Sequence, residues 1–181
     1  MLALFVVETS KNNKSDWMYI KQYLDTHFQK NPNDVVRPIY MAGKGNYSAN
    51  RIMNEIDKQT RNYKSQVHKD MRIIIFLCID IDDITSGDNA KANEKKAKEI
   101  KDFCVKKGYN FIWFYKDIEN VFLGHSVINK NKMEAAQKFL RNSKIINIEK
   151  FKYNDYSSCI NGSSNLHREC NSFCGHFLLS I

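Results

Sequence analysis

The stretch Arg72-Ile-Ile-Ile-Phe-Leu-Cys-Ile-Asp-Ile-Asp-Asp83 decides how this chain reads. Its first eight residues are the most apolar run in the sequence. They are rich in β-branched and aromatic side chains, which predicts a buried strand of a parallel sheet over 72–79. Parallel sheets place their chemistry just beyond the carboxyl ends of the strands. A strand that runs into Asp80-Ile81-Asp82-Asp83 therefore delivers several carboxylates to one edge of the fold. Alternation turns Asp80 and Asp82 to the same side and Ile81 to the other. Two carboxylates on one side repel each other unless a cation lies between them, and oxygen ligands of this kind suit Mg²⁺ or Mn²⁺.

Outward from that run, apolar strands alternate with amphipathic helices. Leu2 to Val7 reads as a first strand with Glu8 at its end, and not as a signal peptide, because no basic region precedes it and no small-residue cleavage site follows. Ser15 or Asp16 is expected to cap a helix reaching about Gln29, with Trp17, Ile20, Tyr23 or Leu24, and Phe28 at helical spacing. Asn31-Pro-Asn-Asp34 breaks it, and Val35 to Tyr40 is a short second strand. A helix follows from Ser48 to about Tyr63. Beyond the third strand, Thr85 to Asn89 is a turn and Ala90 to Lys107 a long helix stopped by Gly108. Tyr109 to Tyr115 is a fourth strand, in which Trp113 and Phe114 are expected to be core. A last helix covers Lys132 to Arg141. The expected fold class is α/β, with a mainly parallel central sheet flanked by helices on both faces. Residues 1–146 form the α/β domain. Residues 147–181, rich in Ser, Asn and Cys, form a C-terminal extension expected to pack on the same domain.

The bulk properties bound the function. At 181 residues the chain is long enough for one domain with a real core and short for two. No segment approaches the length needed to cross a bilayer, so no membrane is expected as a partner. A net charge of +8 draws the protein to polyanions, of which nucleic acid is the commonest in a cell. The scatter of Lys and Arg along the chain equally fits a Lys-rich solvated surface. Five cysteines, with Cys78 in a core strand and Cys104 in a helix, fit a reduced, cytoplasmic protein better than a disulfide scaffold.

Three acidic positions fall at or just beyond strand ends: Glu8, the Asp80/Asp82 pair, and Glu119. In a parallel sheet these ends share one edge. If the first and third strands are neighbours, Glu8 faces the aspartate pair across a single groove. One Glu with Asp-x-Asp makes a sensible Mg²⁺ site, with Glu8 either a ligand or a general base. Any one of these acids alone would more often be a helix cap or turn former, and Glu119 pairs equally well with a nearby Lys. Asp83 is expected to face away or to cap a turn, and Asp88 and Asp117 to face solvent. Ala42-Gly-Lys-Gly-Asn46 sits between a strand and a helix. Either its N–H groups and Lys44 meet a phosphate, or it is a tight turn with a solvated Lys. In the tail, Cys170-x-x-x-Cys174-x-His176 with Cys159 or His167 offers Zn²⁺ ligands at a spacing that fits no standard finger, and core packing is the expected role. His125 is a lone histidine for which a structural role is expected.

These residues carry a family resemblance. Phe5-Val-Val-Glu-Thr9 and Ile79-Asp-Ile-Asp-Asp83, with a second βα unit between them, resemble the TOPRIM domain, closest to its OLD-family nuclease and RloB-like bacterial defence members. Asn110 to Leu123 resembles the segment that follows, where a Glu before an apolar pair recurs. The likeness covers about the first two thirds of the chain. It departs after Glu8, where the family runs into Gly and this chain has Thr9 and Ser10. The resemblance implies Mg²⁺ held by Asp80 and Asp82, Glu8 as acid–base or metal-binding residue, and Glu119 as a further acid. It implies a nuclease cleaving DNA or RNA in anti-phage defence; Lys44, read from its loop alone, is the candidate to steady the phosphate. The alternatives are a non-catalytic subunit that docks on a separate ATPase or nucleoprotein, and a primase-like nucleotidyl-transfer enzyme using the same metal site. A homo-oligomer is compatible with each.

Overall fold

β1 (Leu2–Val7) is buried at every position, as a strand is when helices cover both faces of its sheet. In the computed structural model, which describes residues 1–28, 31–66, 72–141, 148–156 and 162–173, β1 lies inside a four-stranded sheet of order β2-β1-β3-β4. The other strands are β2 (Val35–Tyr40), β3 (Ile73–Ile81) and β4 (Asn110–Tyr115), and every pairing is parallel. The fold is α/β, as the alternation of patterns predicts.

Period-two alternation splits the strands between two apolar layers. Ala3, Phe5 and Val7 of β1, Phe76 and Cys78 of β3, and Phe114 of β4 face α1 (Ser15–His27). Phe5 and Phe76 stack there with ring centroids 4.6 Å apart. α4 (Ile118–Leu123) and α5 (Lys132–Arg141) complete this layer through Ile118, Val121 and Ala136. Leu4, Val6, Ile79, Ile81 and Trp113 face the other way, onto Ile52 and Ile56 of α2 (Asn50–Gln66) and Ala97, Ile100 and Cys104 of α3 (Ala90–Lys107). Gly108 stops α3 in the left-handed conformation, at φ 67°, as the sequence leads one to expect.

The expected boundaries move in three places. β3 runs two residues further, to Ile81, because β4 continues alongside it: Asp80 pairs with Phe114 and Ile81 with Tyr115. Asp80 is thus part of the strand. α2 begins at Asn50, not Ser48, because Lys44–Asn46 forms a 3₁₀ turn and Ala49 leads into the helix. α1 has no side-chain cap: Lys14 occupies the N-cap position, and the Asp16 carboxylate reaches back to the loop after β1.

Both outer strands of the sheet are finished. Residues 163–165 lie along β4, where the Tyr115 N–H donates to the Ser163 carbonyl and Ser164 forms an antiparallel bridge with Phe114. The Asn165 side chain accepts from the Trp113 N–H at 2.9 Å and donates to the Phe111 carbonyl at 2.8 Å. At the opposite edge, β2 carries Pro38. α6 (Leu166–Phe173) then packs Leu166 and Cys170 into the α1 layer beside Phe151. The described part of the extension is therefore packed against the sheet.

Candidate functional site

From β1 the chain crosses outward to β2, then returns past β1 to lay down β3 and β4. The carboxyl ends of β1 and β3 therefore flank the point where the winding reverses, the position at which open α/β sheets hold their ligands. Glu8 directly follows β1. One of its carboxylate oxygens accepts the Asp80 backbone N–H at 2.7 Å, which locks the glutamate across the seam to the neighbouring strand. The neighbour relation expected for the first and third strands holds.

The Asp80 side chain is turned to the α1 layer, where it accepts the Ile118 N–H at 3.0 Å and so fixes the start of α4. Two further acids lie within reach of its charge. Asp16, in the first turn of α1, is 5 % exposed and accepts the Thr9 N–H at 3.1 Å. Glu119, in the first turn of α4, is fully buried and is paired with Lys132 of α5 at 2.9 Å, while its other oxygen is buried without a hydrogen-bond partner. Three carboxylates, Glu119, Asp80 and Asp16, thus act on one lysine, Lys132, while Glu8 faces Lys44.

Burial and mutual repulsion act together on these groups. Burial pushes the Glu8 carboxyl up to about 7, against the pull of the Asp80 N–H and of Lys44. Asp80 is raised well above the ordinary carboxylate range, first by burial and then by Glu8 and Asp16, with Lys132 opposing. Burial also raises Asp16 and Glu119. Lys132 is partly desolvated, yet its hydrogen bond to Glu119 and the surrounding acids hold it charged. Perturbed carboxyls converging on a strand-end crevice are a recognised mark of functional sites.

The Asp-x-Asp pair does not act as one unit. β3 ends at Ile81, so alternation no longer governs Asp82. Its carboxylate is exposed and forms an ion pair with Lys44, while Asp80 points into the α1 layer. Lys44 also reaches the Asp80 carbonyl at 3.4 Å. The Ala42–Asn46 loop is a tight turn: the Ala42 and Gly43 N–H groups donate to the Thr9 and Glu8 carbonyls and so are not directed at a phosphate. Its functional element is the Lys44 side chain at the rim.

Among the described residues no three acidic, histidine or cysteine side chains lie close enough to share an ion. The donor chemistry nevertheless fits Mg²⁺, which retains several waters and takes one or two protein carboxylates. Glu8 and Asp80 each keep one oxygen outside the hydrogen bonds above.

The remaining candidates resolve as follows. Asp83 accepts from Thr85, Ser86 and Tyr115 and organises the turn after β3, as expected. Asp88 is exposed. Asp117 does not simply face solvent: it caps α4, accepting the Asn120 N–H at 2.6 Å. Trp113 and Phe114 are core. His125 is exposed in a separate groove beside Lys138 and Phe139. Cys170 is buried, and His167 is hydrogen-bonded to Tyr23 at 3.0 Å, which is the packing role. Cys159, Cys174 and His176 lie outside the described residues.

Sequence reasoning missed Asp16 and Lys132 as site members. Each sits near the start of its helix, and only the packing of α1 against α5 brings them beside β3. It also missed α4, although Asp117 at its N-cap and Gly124 at its left-handed end are ordinary helix signals.

Compared with protein-family models, curated proteins and solved structures, the chain matches none.

Proposed function

We propose that this protein is a TOPRIM-like, Mg²⁺-dependent phosphodiesterase that cleaves nucleic acid. The observation that carries this reading is the Glu8–Asp80 lock at the winding reversal, with further buried acids around it. When bound, Mg²⁺ would supply charge neutralisation at the phosphoryl oxygens and a more acidic water; Glu8 and Asp80 are the residues suited to hold it. The chain's own groups supply the rest. Where Asp80 holds the ion without it, Glu8, its carboxyl raised to about 7 by burial, can instead accept a proton from an attacking water. The Ile118 N–H and the Asp80 N–H hold the two carboxylates in place. Lys44 stands at the rim as a point charge for the scissile phosphate, releasing Asp82 when it does so. The antiviral setting rests on the likeness of the Glu8 and Asp80-x-Asp82 strands to RloB-like and OLD-family proteins.

The test is cleavage of labelled DNA and RNA, single- and double-stranded, in Mg²⁺ or Mn²⁺ against chelator. Glu8→Gln and Asp80→Asn should each lower the rate by about 10²-fold or more. Absence of cleavage by the native protein, or full activity in both variants, removes the hydrolase reading.

One observation favours the second reading, a non-catalytic subunit of a complex with a separate ATPase. Lys132 and Lys44 each neutralise one acid of the site, the work a cation would do in an enzyme. A native protein inert towards nucleic acid in Mg²⁺, yet stably associated with an ATPase, would be its signature.

A further inference from the structure

The two faces of the sheet differ in charge. α2 carries four basic and two acidic side chains and α3 seven and three. On the opposite face α1 carries one basic and two acidic residues, α4 none and one, and α5 three and one, which balance. The chain's positive excess is thus carried largely by one helical layer, although its Lys and Arg look scattered along the sequence.

Within that layer the charge is ordered. Lys91, Lys95 and Lys98 recur at helical spacing on the outer side of α3, are exposed, and form no ion pair among the described residues. Of the other α3 lysines, Lys96 is engaged with Glu99 and over the Tyr47 ring and Lys101 with Asp155, while Lys106 and Lys107 are exposed in the last turn, at the opposite end of the helix. Lys91, Lys95 and Lys98 lie in the first half of the helix, whose start is tied to the turn after β3 by Asn93, donating to the Asp83 carbonyl at 2.8 Å. A groove of about 100 Å³ at that end of α3 is lined by Lys44, Asp80, Asp82, Asn93 and Lys96.

We infer that nucleic acid binds across the first three turns of α3, with Lys91, Lys95 and Lys98 on successive phosphates and the strand led past Lys96 and Lys44 towards Glu8. Exposed lysines at this spacing read backbone charge and not bases, so the contact is independent of sequence. An anionic membrane would need an apolar strip beside the lysines. The apolar strip of α3, Ala97, Ile100 and Cys104, is buried against the sheet. The inference rests on the phosphodiesterase reading only for the direction in which the strand is led.

The experiment is fluorescence anisotropy with labelled 20-mer DNA and RNA, single- and double-stranded, in chelator and across a salt series. The Lys91→Gln/Lys95→Gln/Lys98→Gln variant should bind about 10- to 100-fold more weakly at low salt, and its log Kd against log salt slope should fall by about two to three. Lys21→Gln/Lys138→Gln, on the opposite face, should bind as the native protein does. Matching thermal unfolding of all three proteins certifies the fold. No binding by the native protein, unchanged binding by the triple variant, or an equal loss in both variants overturns the inference, as does binding to phosphatidylserine vesicles in place of nucleic acid. Binding without cleavage leaves this surface standing and removes the hydrolase. Cleavage that survives unchanged in the triple variant leaves the hydrolase standing and removes this surface.

Discussion

Lys132 lies 2.9 Å from the carboxylate of Glu119, and the glutamate is wholly buried. Removing one partner of such a pair strands the other charge, at a cost of about 3–5 kcal/mol. Lys132→Met should therefore lower stability by about that much at pH 8, read from urea midpoints. At pH 5 the loss should be smaller, because burial already raises the Glu119 carboxyl and it can take a proton in place of the lysine. Lys132→Met combined with Glu119→Leu should recover most of the loss. A Lys132→Met protein as stable as the native one at pH 8 would show that the pair carries no such load.

Glu8 sets a pH dependence of definite sign. Its folded carboxyl titrates near 7, above its ordinary value of 4.5. The folded protein therefore binds more protons than the unfolded chain between those values. This stabilising contribution is complete below about pH 4.5 and is lost as pH rises through about 7. Glu8→Gln should flatten the stability profile over that window and raise stability at pH 8 by on the order of 2 kcal/mol. An unchanged profile in chelator would exclude a buried, titrating Glu8.

Metal linkage follows from the same carboxyls. A divalent ion competes with their protons, so binding should stabilise the fold at pH 8 far more than at pH 5. At a concentration one hundred times its dissociation constant the gain is about 2.7 kcal/mol. Thermal unfolding in Mg²⁺ or Mn²⁺ against Ca²⁺ and chelator reads this without any substrate. Asp80→Asn should abolish the shift, and a shift that persists in that variant would place the ion elsewhere.

Asn165 closes two backbone groups of β4 with one side chain. Asn165→Ala leaves a buried N–H and a buried carbonyl unsatisfied, and should cost about 2–4 kcal/mol. Hydrogen exchange at the Trp113 amide should accelerate along with the loss. Slow exchange there in Asn165→Ala would show that another group takes over the edge.

The parts of the fold legible in the sequence are those written in local pattern. Leu2–Val7 and Ile73–Ile81 are continuous apolar runs, and Gly108 after a helical stretch can only be a stop. The adjacency of Glu8 and Asp80 follows from strand order, which such a pattern permits one to frame as a condition. Asp82 misled because period-two alternation ceases to apply where the strand ends, and the end lay two residues beyond its expected place. Asp16 and Lys132 were illegible for a different reason. An acid in a first helical turn has a sufficient local explanation, and nothing in sequence spacing tells that α1 and α5 will press both groups against the same strand.

Pro38 has a wider bearing than its place in one strand. Val35 and Met41 direct their N–H groups inward to the first strand's carbonyls, so the even-numbered residues between them point outward, and Pro38 has no hydrogen to offer there. With the far flank sealed by residues 163–165, neither side of the sheet offers, among the described residues, an intact template for a visiting strand. Among the described residues the helical surfaces are thereby left as the open faces of the fold, where exchange of single side chains can retune a contact without disturbing the backbone beneath.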